Sequence, residues 1–301
     1  MTLARVSDIP TTRHILRASV DAAGNLLLVC SGSREAGDSP GRHLIVQRSV
    51  DGSWKNQALE SASGRPFVQP GPDGGLLVVD EHSRRNPSGD AQANAKIYDS
   101  DGTNLHCFVA GDGINDVQTT RDGVWIGYSD LGTTGDFGMF GWGRLSPEVW
   151  VDPVGYDGLL RFNWDGRPEI SVVPPTPGLP IIDCLALNVD DADVWAYAYP
   201  DYPLLHVGAG GEVLSRSGIG LPVTALAVSA RHVLLARAIR GQRIRAWRAT
   251  LGLTGLNELE EVRLKLEHEG RGPIRQLVAR GGALHALTDD AWYRAPAGAT
   301  S

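Results

Sequence analysis

Three scarcities bound this 301-residue chain before any motif is read. Cysteine is the first: Cys30, Cys107 and Cys184 are odd in number and have no close-spaced metal motif, so neither a disulfide scaffold nor a zinc ribbon is encoded. Buried thiols in a reducing, cytoplasmic setting are the expectation. The second is length of apolar run, since none approaches the roughly 18 residues that argue for a membrane span. The N-terminal MTLARVSDIPTTRHIL also lacks the apolar stretch and cleavage site of a secretory signal. No membrane partner is expected. The third is positive charge: Lys and Arg total 28 against 35 Asp and Glu, a net charge of -7 that argues against nucleic acid as a partner. An arginine-rich run at 231–248, with Trp247 within it, is followed by the acidic run from Glu258, and the two can pair across one hairpin.

Turn residues, by contrast, are plentiful, with 37 glycines and 18 prolines. Asp51-Gly52, Asp101-Gly102, Asp165-Gly166 and Gly210-Gly211 each lie between two runs of β-type residues, and such pairs supply the positive φ angles of tight hairpins. A second repeat runs in step with them. Six times an apolar strand, a tight turn and a second apolar strand recur, the second strands being near-continuous apolar runs such as Leu26-Leu27-Leu28-Val29 and Val124-Trp125-Ile126. Strands of that kind are covered on both faces. One unit used six times predicts an all-β fold: a six-bladed β-propeller filling residues 1–301 as a single domain. The expected blades are 15–60, 66–110, 114–173, 181–217, 223–268 and 274–295. The last copy lacks an outer strand, and residues 2–9 can supply it, so the N-terminal strand is expected to complete the sixth blade and hide two sheet edges.

Loop lengths indicate where a site should lie. The turns between first and second strands are short throughout, whereas three connections between second and third strands are long: 31–42, 81–94 and 130–157. Long irregular loops gathered over one sector of a rigid scaffold are usually functional. From Leu131 to Gly158 the third loop interleaves seven glycines with Phe137, Phe140, Trp142, Trp150 and Tyr156. It reads either as a lid, with Phe140 and Trp142 facing a ligand or partner, or as a loop pinned to neighbouring blades by its aromatics.

Aligning the six copies on their first turns places Arg17, Phe67, Asp116, Asp183, Thr224 and Arg275 at the channel mouth. Asp116 and Asp183 are the candidate acid and base, able to raise each other's pKa, or, with Asn115, ligands for a divalent cation such as calcium. The alternative is that both carboxylates only tie the inner ring together. Tyr128 and Asp130 leave the same blade towards the lid, and Arg17 and Arg275 complete the ligand-binding set. His82 is the third catalytic candidate, two residues from Asp80, which can orient it. His14 enters the same face. No HExxH or phosphate-loop pattern accompanies these residues.

The repeated pattern typified by Ile114-Asn115-Asp116-Val117-Gln118 through Tyr128 resembles that of the gluconolactonase-like, NHL-repeat and strictosidine-synthase-like propellers. The gluconolactonase resemblance implies a divalent metal held by glutamate, aspartate and asparagine in the channel. Asn115, Asp116 and Asp183 match the last two types, and no glutamate stands at an inner-strand start. The function expected is binding of a small polar or aromatic-bearing molecule at the channel mouth, with hydrolase or lyase chemistry as an extension. The alternative is a non-catalytic scaffold whose aromatic loop meets a protein partner.

Overall fold

In the computed structural model, residues 1–9, 14–31, 41–48, 53–61, 64–84, 90–134, 143–146, 149–151, 153–173, 180–190, 193–239, 243–267 and 273–298 are described. The chain opens with β1 (Thr2–Asp8). A first four-stranded sheet follows, made of β2 (His14–Val20), β3 (Leu26–Ser31), β4 (Gly41–Arg48) and β5 (Trp54–Ser61). The second contains β6 (Phe67–Pro70), β7 (Leu76–Val79), β8 (Ala95–Tyr98) and β9 (Asn104–Phe108). Next come β10 (Ile114–Thr120) and β11 (Gly123–Tyr128), then a short helix α1 (Asp130–Thr134) and a separate hairpin of β12 (Gly143–Ser146) and β13 (Val149–Val151). β14 (Leu159–Phe162) and β15 (Pro168–Ser171) complete that third sheet. The fourth is β16 (Asp183–Asp190), β17 (Asp193–Tyr199), β18 (Leu204–Val207) and β19 (Val213–Arg216). The remaining strands are β20 (Ala225–Ser229), β21 (His232–Ile239), β22 (Arg243–Leu251), β23 (Leu256–Leu266), β24 (Gln276–Arg280), β25 (Ala283–Leu287) and β26 (Ala291–Pro296).

These last strands and β1 form one eight-stranded sheet in the order β20-β21-β22-β23-β1-β26-β25-β24. It consists of two four-stranded arrays joined at their outer edges. The first strands of successive arrays touch, and β24 touches β2, so that β2, β6, β10, β16, β20 and β24 close a ring around one axis. The fold is a β-propeller.

β1 runs antiparallel to β26, from Ala4 opposite Arg294 to Asp8 opposite Ala291, as expected of a strand that completes the last array. It also pairs in parallel with β23 at Thr2–Lys265 and Leu3–Leu266, a connection that the sequence pattern did not suggest. Leu3 is fully buried there among Ile244, Leu264 and Tyr293. One strand therefore fastens two arrays.

Turn chemistry explains the hairpins. Gly102 (φ 86°) and Gly166 (φ 75°) occupy left-handed positions that a side chain would strain. Each turn is stapled by the residue three before its glycine: Asp99 Oδ1 accepts from the N–H groups of Asp101 (3.0 Å) and Thr103 (2.8 Å), and Asn163 Oδ1 accepts from those of Asp165 and Arg167 (both 3.0 Å). The apolar second strands lie between sheets, as their composition requires. All residues of β3 and β11 are buried, and Leu77, Val79 and Ile97 of the second sheet pack against Ile114, Val124 and Ile126 of the third. Burying each such side chain contributes about 1.5–3 kcal/mol, which fixes the spacing and tilt of the inner strands. Across β22 and β23 the expected charge pairing forms, with Arg245 2.7 Å from Glu261 and Arg248 2.7 Å from Glu260.

Candidate functional site

The inner ring encloses a cavity of about 430 Å³, within the range of small-molecule sites, to which all six arrays contribute. The six inner strands run in the same direction, so their first residues gather at one mouth and their last residues at the opposite end. That far end is crossed by side chains. Arg280, buried at the end of β24, reaches over the axis to β10, where Nη1 donates to Gln118 Oε1 (3.2 Å) and Nη2 donates to the Thr119 carbonyl (2.5 Å). Gln118 Nε2 donates to Leu187 O (2.7 Å), and Gln118 Oε1 accepts from the Val189 N–H (2.9 Å). Asn188 links β16 to Leu226 O (2.6 Å) and Gly281 O (2.8 Å). Polar groups spent on neighbouring strands in this way hold the ring and narrow one end of the channel. The cavity is entered from the other.

Arg17, Phe67, Asp116, Asp183 and Thr224, five of the six positions aligned in the sequence, line the cavity, and so does Asn115. Arg275 does not. Its guanidinium makes two bonds to Asp289 (2.8 and 2.7 Å) and lines a separate cavity with His14, while the next residue, Gln276, faces the channel. Gln276 bridges to the Ala18 backbone through Oε1 (2.7 Å) and Nε2 (3.0 Å).

Two carboxylates at the mouth have altered acidity. Burial pushes Asp116 up to about 6, opposed by the Val117 and Leu187 N–H groups and by the Arg17 charge. Asp183 is also raised to about 6, by burial and then by the Asp130 carboxylate. The expectation that Asp116 and Asp183 raise each other is corrected: Asp130 is the charge acting on Asp183. Cys184 lies behind the wall, its thiol pushed up by burial and by both Asp116 and Asp183. Asn115 donates through Nδ2 to Cys184 O (2.7 Å), tying β10 to β16.

Arg17 is held on three sides. Nη2 donates to Glu81 Oε2 (3.0 Å), Nε donates to Arg65 O (2.8 Å), and the guanidinium lies 3.6 Å from the Phe67 ring centroid. Burial lowers its pKa most, and Glu81 and Asp116 oppose that effect. Glu81 in turn approaches His82, its Oε1 4.0 Å from Nε2. His82 Nδ1 donates to Asp112 Oδ1 (2.8 Å), and this bond raises the imidazole pKa. Asp112 is therefore a partner of His82 that the sequence reading did not assign, having proposed Asp80. Its Oδ1 also accepts from the Gly113 N–H (2.8 Å), and its buried Oδ2 has no hydrogen-bond partner among the described residues.

Tyr128 is not among the residues lining the cavity. It is fully buried, its hydroxyl donates to Ala110 O (2.5 Å), and the backbone of the long loop lies directly on its ring. A Cβ at Gly155 would come within 2.4 Å of that ring, so glycine is what permits the contact. Asp130 sits at the rim, where Oδ1 accepts from the Leu131 N–H (2.8 Å) at the start of α1. Phe140 and Trp142, the expected lid aromatics, lie outside the described residues.

For a cation, Asp116 and Asp183 supply carboxylates and Asn115 a side-chain oxygen. Among the described residues no three His, Cys, Asp or Glu side chains come together as a metal-holding group. Asp116 also has Arg17 as its neighbouring charge, whereas calcium takes six to eight oxygens. The protein groups present do not make a complete calcium shell.

The sequence matches no family model and no curated protein. Similarity is found among solved structures. A streptogramin B lyase is 12% identical, with a TM-score of 0.52 over 95% of this chain and 81% of that one. A virginiamycin B lyase from Staphylococcus aureus is 11% identical, with a TM-score of 0.51 over 97% and 98% of the respective chains. Hsv2 from Kluyveromyces marxianus is 8% identical, with a TM-score of 0.51 over 96% of this chain and 74% of that one. At these identities the likeness extends to the β-propeller fold and no further.

Proposed function

We propose that this protein binds a small polar molecule in the channel, entering from the face where the long connections emerge, and that Asp116 and Asp183 handle a proton of that molecule in hydrolase or lyase chemistry. The observation that carries the reading is the pair of cavity-facing carboxylates shifted to about 6. A carboxyl group at that value exchanges protons readily near neutrality, as a general acid or base must. The arrangement is also asymmetric. Asp116 lies by Arg17 and is favoured as the carboxylate, while Asp183 lies by Asp130 and is favoured as the acid. A cytoplasmic setting belongs to the same proposal, in keeping with three cysteines that form no disulfide. Among the described residues no helix is long and apolar enough to cross a membrane.

The test is a ligand-observed NMR screen of polar small molecules against the native chain and the Asp116→Asn/Asp183→Asn variant. Hits lost in a variant that retains its native circular dichroism support the channel site. Hits that persist unchanged in the variant place binding elsewhere. A chain that binds no small molecule but co-purifies with a protein favours the scaffold reading.

A further inference from the structure

β22 and β23 bring like charges face to face. Ile244 lies opposite Leu264 and Arg245 opposite Arg263, so one step further along the same register Arg243 stands beside Lys265. On the other side of β22, Arg237 of β21 is the partner of Arg245. Alternation along the strands puts these cations on one face with Glu261, while Ile244, Ala246, Val262 and Leu264 pack into the core on the opposite face. Like charges directly opposite one another destabilise a sheet. Glu261 answers one of them, accepting from Arg245 Nε (2.7 Å) and Nη2 (2.9 Å), which uses both of its oxygens. Glu260 pairs with Arg248 on the opposite face, and the Glu267 carboxylate accepts from the Arg5 N–H of β1 (2.9 Å). Arg243, Arg245, Arg263, Lys265 and Glu261 line a cavity of about 1210 Å³. Four cations against one carboxylate leave a surplus of three positive charges among its described lining residues, on a chain whose net charge is -7.

We infer that this face is a second binding site, separate from the channel, for a soluble molecule carrying two or more linked phosphate groups. Residues two apart on a strand are roughly 7 Å apart, and residues opposite one another have Cβ atoms about 5 Å apart, so Arg243, Arg245, Arg263 and Lys265 mark the corners of a rectangle of that size. Linked phosphates present oxygens across such a spacing, and the planar guanidinium groups of Arg243 and Arg263 can each take two of them. Arg245 is the fixed edge of the patch, held by Glu261 and lying 5.1 Å from the Trp247 ring centroid. A bound polyanion offsets the repulsion that the register creates, whereas a neutral or cationic molecule leaves it in place. The site shares no described lining residue with the channel cavity and does not depend on the reading proposed for it.

The test is isothermal titration calorimetry of the native chain at pH 7.5 and low salt with three probes: tripolyphosphate, orthophosphate and citrate, the last a trianion without phosphate. Tripolyphosphate is expected to bind at least tenfold more tightly than either of the others, and to weaken as salt is added. Arg243→Gln/Arg263→Gln should weaken it at least tenfold, whereas Arg248→Gln, on the opposite face of the same hairpin, should leave it within about twofold. Lys265→Gln, at an exposed position, should weaken it about threefold and keeps the claim testable if the double variant fails to fold. Without ligand, Arg263→Gln should melt no lower than the native chain, because it removes a like charge opposite Arg245. The Asp116→Asn/Asp183→Asn variant should bind tripolyphosphate as the native chain does. Absence of tripolyphosphate binding, citrate bound as tightly, or an equal loss in Arg248→Gln and Arg243→Gln/Arg263→Gln overturns the inference. Loss in the channel variant alone also overturns it, by moving the phosphates to the channel.

Discussion

Replacing Asp116 by asparagine should stabilise this protein at neutral and alkaline pH while disabling its channel. In the folded chain the carboxyl has a pKa of about 6 against an ordinary 3.8, because burial disfavours its charged form more than Arg17 and the Val117 and Leu187 N–H groups favour it. The folded state therefore holds its proton more tightly than the unfolded state does. Below about pH 3 both states are protonated and the residue has no linked cost. As pH rises through 3.8 and then 6, the unfolded chain ionises first, and stability is lost. The full difference is about 3 kcal/mol by pH 8, of which roughly half is already present at pH 5. Asparagine has a similar shape and retains an oxygen for the Val117 N–H bond of 2.8 Å, but carries no charge to desolvate. Urea unfolding of both proteins, followed by tryptophan fluorescence, should show the variant more stable at pH 8, with its advantage shrinking by about 1.4 kcal/mol at pH 5. An advantage independent of pH, or a variant less stable at pH 8, would refute the assignment of a strained carboxylate to this position. Stability gained together with ligand binding lost is the signature of a residue placed for function.

Leu3→Ala should cost about 2–4 kcal/mol in chemical denaturation, because Leu3 is fully buried where β1 joins two arrays, whereas Val6→Ala, at a 38% exposed position on the same strand, should change stability by less than about 0.5 kcal/mol. Equal effects would show that β1 does not fasten the ring. Asp112→Asn should lower the His82 pKa, read from its imidazole proton shifts by NMR, since the bond to Asp112 is the largest influence raising it. In the native chain that raised pKa contributes stability at pH below 6.5, lost as pH rises through the folded value. Arg280→Met should destabilise by about 2–4 kcal/mol, measured by urea unfolding, because it leaves the buried Gln118 oxygen and Thr119 carbonyl without this donor. A neutral result would mean that the bridge over the channel axis is dispensable.

Much of the architecture could be read from the sequence because its causes are local. Asp-Gly and Gly-Gly pairs set hairpins, continuous apolar runs mark strands covered on both faces, and their repetition implies stacked arrays. The same repetition placed Arg17, Asp116 and Asp183 at one mouth, since equivalent positions in equivalent strands converge on a common axis. It failed at Arg275 for a definable reason. The Arg275 guanidinium turns to Asp289, and the next residue, Gln276, is the one that faces the channel, a choice made by a long-range partner rather than by distance from the turn. The contacts that give the site its chemistry have no local signature. His82 meets Asp112 across 30 residues, Arg280 meets Gln118 across 162, and Leu3 meets Leu266 in a parallel pair between opposite ends of the chain. The raised pKa of Asp116 likewise depends on its burial and on Arg17 across the ring rather than on local sequence alone. Periodicity and turn residues determine which strands form, while the closing of the ring decides which side chains are buried together, because desolvation and long-range pairing are properties of the packed molecule.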